Sequence, residues 1–128
     1  MKLFVCAQDL GFFWIGLFSH QSFTILEKKE VAPERYLFSL DQFLKEHSII
    51  LKNLEGVIIV TGPGSFTSSR ISLTIVNGIH FSHQIPLFTL SNPEYLPPEE
   101  LMRRTHAIHL ASPDEYAHVS YARPAHIT

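Results

Sequence analysis

A chain of 128 residues with 45% hydrophobic and 17% charged residues carries enough apolar material for one domain with a core, which excludes a disordered chain. Its ten Lys and Arg against twelve Asp and Glu leave a formal charge of −2, so there is no basic footprint for binding nucleic acid unaided. The single cysteine, Cys6, excludes an intramolecular disulfide, packs as a small hydrophobe and gives no sign of an oxidising compartment.

The opening MKLFVCAQDLGFFWIGLF has a lysine and many apolar residues, as a signal peptide would, but Gln8, Asp9 and Gly11 divide it and no small-x-small cleavage pattern follows. It reads instead as core strands. No run reaches the ~20 apolar residues of a membrane span, and the expected compartment is the cytoplasm. Residues 2–7, 12–18 and 22–29 are short apolar runs separated by turn signals, the first at Asp9-Leu10-Gly11, and predict a three-stranded antiparallel meander.

Pro33-Glu34 is a favourable helix first turn, and the periodic segment to Glu46 predicts a helix over 33–46. Tyr36, Leu37, Leu40, Phe43 and Leu44 share the face expected to lie on a sheet, with Phe38 off that face beside Lys45. Val57 to Thr61 has the continuous apolar character of a strand buried on both sides, which makes the preceding helix a crossover. A second helix over 67–82 carries two apolar stripes: Ile71, Ile75 and Ile79 with Gly78 and Ser82, and Leu73, Val76 and Phe81 on the other side. Two stripes need two covering surfaces. Gln84-Ile85-Pro86 ends this helix, Leu87 to Leu90 is a short strand, and residues 91–98 with three prolines read as a linker before a short helix at 99–104. His106–Ala111 and Tyr116–Tyr121 flank a turn at Ser112-Pro113-Asp114-Glu115 and predict a terminal hairpin, followed by a frayed end at 123–128.

Between the buried strand and the second helix stands Gly62-Pro63-Gly64-Ser65-Phe66-Thr67-Ser68-Ser69-Arg70-Ile71. The glycines supply backbone freedom, Pro63 fixes one φ, and Ser65 and Thr67 are placed to cap the first helical turn. Such a turn is also built to hold a phosphate, although it matches neither the G-x-x-x-x-G-K-[ST] nor the G-x-G-x-x-G pattern. Gly62, Pro63, Gly64, Ser65 and Thr67 are therefore the candidate phosphate-loop-like site.

From Leu51 to Leu90 the chain closely resembles the TsaB (YeaZ) family, whose hallmark is a strand ending in G-P-G-S-F-T, a two-residue gap and Arg-Ile. The resemblance implies the α/β actin-like ATPase (ASKHA, ribonuclease H-like) fold: here one truncated lobe over 1–90, a mixed five-stranded sheet with two long helices. Residues 91–128 would then hold a linker, a short helix and a hairpin remnant of the second lobe. It implies a non-catalytic scaffold that binds a TsaD-like protein, with a TsaE-like ATPase involved indirectly, during synthesis of threonylcarbamoyladenosine beside the tRNA anticodon. tRNA would be held only through the complex, and no cofactor is expected. In that family the first strand ends in an Asp-Thr-Ser type loop; the matching positions here are Ala7, Gln8 and Asp9, and only Asp9, two places late, is acidic. The missing acid favours scaffold over enzyme.

The alternatives are an ASKHA nucleotide-binding ATPase or phosphotransferase using Gly62 to Ser65, and a homodimeric interaction module. For either kind of dimer the resemblance places both long helices at the interface, with Phe38, Ser68, Ser72, Leu73, Val76 and Phe81 as candidate contacts. The histidine pairs His80/His83 and His106/His109 lack a third ligand and are each one residue short of the H-x-x-x-H motif of TsaD-like, glycoprotease-labelled relatives, so no metal site is assigned. Ser65 lies outside any G-x-S-x-G elbow and reads as a cap, not a nucleophile.

Overall fold

A computed structural model describes residues 1–9 and 11–105. Five strands, β1 (Lys2–Cys6), β2 (Phe12–Ser19), β3 (Ser22–Glu30), β4 (Gly56–Gly62) and β5 (Leu87–Ser91), form one sheet in the order β3-β2-β1-β4-β5. β1 to β3 are an antiparallel meander, as their hydrophobic alternation and short connections predict, while β4 and β5 run parallel to β1. Parallel pairing needs crossovers, and α1 (Tyr36–Glu46) and α2 (Phe66–His83) supply them before β4 and β5.

The register places Val5 beside Ile15 and Ile59 on one face, and Phe4 beside Ile58 on the other. Leu3, Val5, Phe13, Ile15, Val57 and Ile59 therefore meet Tyr36, Leu40, Phe43, Leu73 and Val76 of α1 and α2. Phe4, Cys6, Ile58, Val60 and Phe88 form a second core with Leu101 and Met102 of α3 (Pro98–Arg104). Burial on both faces explains why the central strands read as continuous apolar runs, each large side chain contributing roughly 1.5–3 kcal/mol. Burial also pushes the Cys6 thiol up to about 12, in keeping with a packing role.

Several expectations change in detail. Pro33–Arg35 forms a single 3-10 turn, so α1 starts at Tyr36 and its buried arc is Tyr36, Ser39, Leu40 and Phe43. Leu37 falls at the edge of that arc and is 61% exposed, not on the sheet. In α2, Leu73 and Val76 lie against the sheet, but Phe81, about 140° round the helix from Val76 at 3.6 residues per turn, is 86% exposed. The segment after β5 returns across the sheet as α3. The expected hairpin at 106–121, His106/His109 and the end at 123–128 lie outside the described residues. Among the described residues no helix is long and apolar enough to cross a membrane.

Candidate functional site

The carboxyl ends of β1, β4 and β5, the parallel strands, converge at one rim of the sheet, where ligand sites of open α/β sheets form. There the Gly62–Ser65 turn carries β4 into α2. Gly62 has φ 130°, which only glycine adopts readily, and the Gly62–Pro63 peptide is cis. Gly64 is required for a different reason. Its φ is not positive, but a Cβ on it would stand 2.7 Å from the Gln8 carbonyl oxygen and 2.8 Å from the Gln8 Cα. The turn is pressed against the backbone at the end of β1, and the Ser65 N–H donates to that carbonyl at 2.7 Å. Ser65 then caps α2: its Oγ accepts from the Ser68 N–H at 3.5 Å, and its carbonyl accepts from the Ser69 N–H at 2.9 Å.

Beneath the turn lie Gln8, named in the sequence only as a position of the first loop, and Asn92, which was not singled out. Gln8, buried, donates from Nε2 to the Pro63 carbonyl at 2.7 Å and to the Asn92 carbonyl at 2.9 Å. Asn92, also buried, returns a bond from Nδ2 to Gln8 Oε1 at 2.7 Å, donates a second to the Leu96 carbonyl, and accepts the Leu96 N–H on Oδ1 at 3.0 Å. Its backbone N–H donates to the Gly62 carbonyl at 2.8 Å. Two neutral amides thus tie three strand ends together and satisfy the carbonyls of the turn, as buried polar groups require. A polar residue closing the apolar run Leu3 to Ala7 and an Asn-Pro directly after β5 are the sequence signals that could have found them. Asp9, the late acid, is exposed at the turn into β2, and its carbonyl accepts from the Phe12 N–H.

Thr67 points elsewhere. With Pro33, Glu34 and Leu37 it lines a groove of about 560 Å³ between the start of α1 and the first half of α2. Ile71 and Ile75 form the floor, Phe66 and Leu37 stand exposed on either side, and Glu34 and Arg70 bring opposite charges to its walls. The Arg70 guanidinium lies 5.1 Å from the centre of the Phe66 ring. In the core next to these residues, the Tyr36 hydroxyl donates to Ser68 Oγ at 3.1 Å, and its ring stacks on Phe13 with centroids 4.3 Å apart.

Of the six expected interface residues, Phe38 and Phe81 are exposed, but Ser68, Ser72, Leu73 and Val76 are buried within the chain. The two serines let α2 approach the sheet, and Leu73 and Val76 pack into the core there, so these four face inward and not another molecule. His80 contacts the Ile85 carbonyl at 2.6 Å through Nδ1 and His83 contacts Ser82 Oγ at 3.0 Å, so both rings face the end of their own helix.

Residues 33–110 match the family model described as TsaD, tRNA N6-adenosine threonylcarbamoyltransferase. A comparison with curated proteins gives no match. Among solved structures, YeaZ from Pseudomonas aeruginosa is similar over 71% of this chain at 21% identity with a TM-score of 0.62. A second, titled as an uncharacterized protein with similarity to peptidase YeaZ from Pseudomonas aeruginosa, gives the same values. This chain spans 43% of the length of each. The likeness shows the fold, a mixed five-stranded sheet of the ASKHA type, as the resemblance through Gly62 to Ile71 implied.

Proposed function

The chain belongs to the tRNA N6-adenosine threonylcarbamoyltransferase family, and on that premise we propose that it is a non-catalytic, TsaB-like scaffold. It docks a TsaD-like subunit and so supports threonylcarbamoylation of the adenosine next to the tRNA anticodon. The observation that carries this reading is the groove between α1 and α2, where Leu37 and Phe66 expose apolar surface over a floor of Ile71 and Ile75. Apolar surface rimmed by Glu34 and Arg70 suits a helix with an apolar ridge and flanking charges. The end of β1 supports a scaffold over a nucleotide hydrolase, since Ala7 stands at the position of the family's acid and the neutral amides of Gln8 and Asn92 fill the strand ends beside it.

The test is co-purification of the chain with the TsaD-like protein of the same organism, and of its Leu37→Glu variant. The parent should form a stable complex, and the variant should lose roughly 2 kcal/mol or more of association because a charge enters an apolar contact. Light scattering on the chain alone distinguishes a homodimer through the same groove. Failure of the parent to bind any TsaD-like protein, or ATP turnover that Gly64→Val abolishes, would overturn the scaffold assignment.

A further inference from the structure

At the opposite end of α1, a group of donor atoms stands where the helix runs out over the sheet's outermost strand. Glu46 is the last residue of α1 and His47 its C-cap, while Glu27 projects from β3. One donor atom from each of the three lies within 4.8 Å of the others. His47 Nε2 is 2.8 Å from Glu27 Oε2, and the imidazole is held there by the buried Phe43 ring, 4.6 Å away between centroids. The backbone is fixed too: Ser48 takes a left-handed conformation, and the N–H groups of His47, Ser48 and Ile49 bond back to the last turn of α1. The imidazole therefore presents Nε2 to the carboxylate without needing to be ordered by a ligand.

The charge around it is unbalanced. Two carboxylates face one nearby ammonium, Lys29 Nζ, 2.8 Å from Glu27 Oε1. The carboxyl end of a helix adds partial negative charge at the same place. One imidazole and two carboxylates are a donor set suited to a zinc-class divalent ion, which takes nitrogen and oxygen ligands at about 2.0–2.2 Å and completes its shell with water.

We propose that Glu27, Glu46 and His47 form a binding site for a zinc-class divalent cation, which staples the end of α1 to edge strand β3. To enter, the ion displaces the Lys29 ammonium from Glu27, and the Lys29 side chain, long and partly exposed, swings into solvent. Lys29 is thus a built-in competitor, which separates this site from adventitious binding at other histidines.

The experiment is competition of the full chain with a chromophoric chelator for zinc, with magnesium and calcium as controls. One zinc per chain is expected, with no response to the hard cations. Glu46→Gln, an exposed change that leaves folding intact, and His47→Gln should each weaken binding at least tenfold, while Lys29→Gln should tighten it several-fold. Asp41→Asn, in the exposed Asp41–Lys45 pair, should change nothing. Absence of zinc binding, binding indifferent to Glu46→Gln and His47→Gln, or Lys29→Gln failing to tighten it would each overturn the site.

Discussion

The two sides of α2 are both apolar, yet one is closed and the other open. On the sheet side Ser68, Ser69, Ser72, Leu73 and Val76 are all buried. Three serines there bring the helix backbone down onto β4, and two of their hydroxyls are absorbed locally, Ser72 donating to the Ser69 carbonyl at 3.1 Å and Ser68 accepting from Tyr36. On the α1 side Ile71 and Ile75 are only partly buried, because Leu37 stands away from them and leaves the groove. Hydrophobicity alone does not decide which stripe is core. Here the closed side is the one where Ser68, Ser69 and Ser72 in the first half of the helix let it approach its neighbour closely.

The largest expected effect tests the closed side. Val76 is fully buried, so Val76→Glu places an uncompensated carboxylate against Leu73 and the sheet. It should cost roughly 3–5 kcal/mol, read from the urea midpoint, and leave little folded protein. A folded Val76→Glu chain impaired only in association would mean that this stripe faces a partner after all.

Next comes the turn that sets the height of α2. Gly64→Val drives a side chain into backbone atoms of Gln8 that cannot rotate away, and should cost about 1–3 kcal/mol. An unchanged melting temperature would show that the turn can lift off β1, and that the closed side is not anchored there.

The third effect is smaller and depends on pH. Tyr36→Phe removes the hydroxyl contact with Ser68 where α1 and α2 meet, costing roughly 0.5–1.5 kcal/mol at neutral pH. Burial raises the Tyr36 hydroxyl above its ordinary 10.0, the Ser68 bond offsetting only part of this. Above that ordinary value the unfolded chain releases the proton while the folded chain keeps it, so folding loses stability as pH rises. Tyr36→Phe lacks that slope, and the gap between parent and variant should close at alkaline pH. Parallel unfolding curves from pH 7 to 11 would show that the Tyr36 hydroxyl is open to water in the folded chain.

Much of this architecture was legible because burial on both faces writes itself as unbroken apolar runs, and because Pro33, Gly62 and Pro86 punctuate them. The turn at Gly62–Ser65 was legible for the same reason. The Gln8–Asn92 network was not, since 84 residues separate the two amides and only the register of β1, β4 and β5 brings them together. The orientation of α2 was equally hidden: a helical wheel shows two stripes but not which one meets the sheet. Serines that read as a site for close approach by another molecule proved to be the means of close approach within the chain.

The smallest effect on stability belongs to the open side. Leu37 adjoins Tyr36 in sequence, but 100° round the helix is enough to move it from the core to the wall of the groove. Leu37→Glu at 61% exposure takes little apolar area out of contact and buries no charge, so its unfolding free energy should stay within about 0.5 kcal/mol of the parent. Paired with Val76→Glu it makes one comparison of the same substitution type on the two sides of α2. Denaturation of the isolated chain should separate them by several kilocalories, whereas pull-down with the TsaD-like protein should find Leu37→Glu folded and unbound. A Leu37→Glu chain that unfolds like Val76→Glu would show that α1 closes over Ile71 and Ile75 in solution, leaving no groove for a partner to fill.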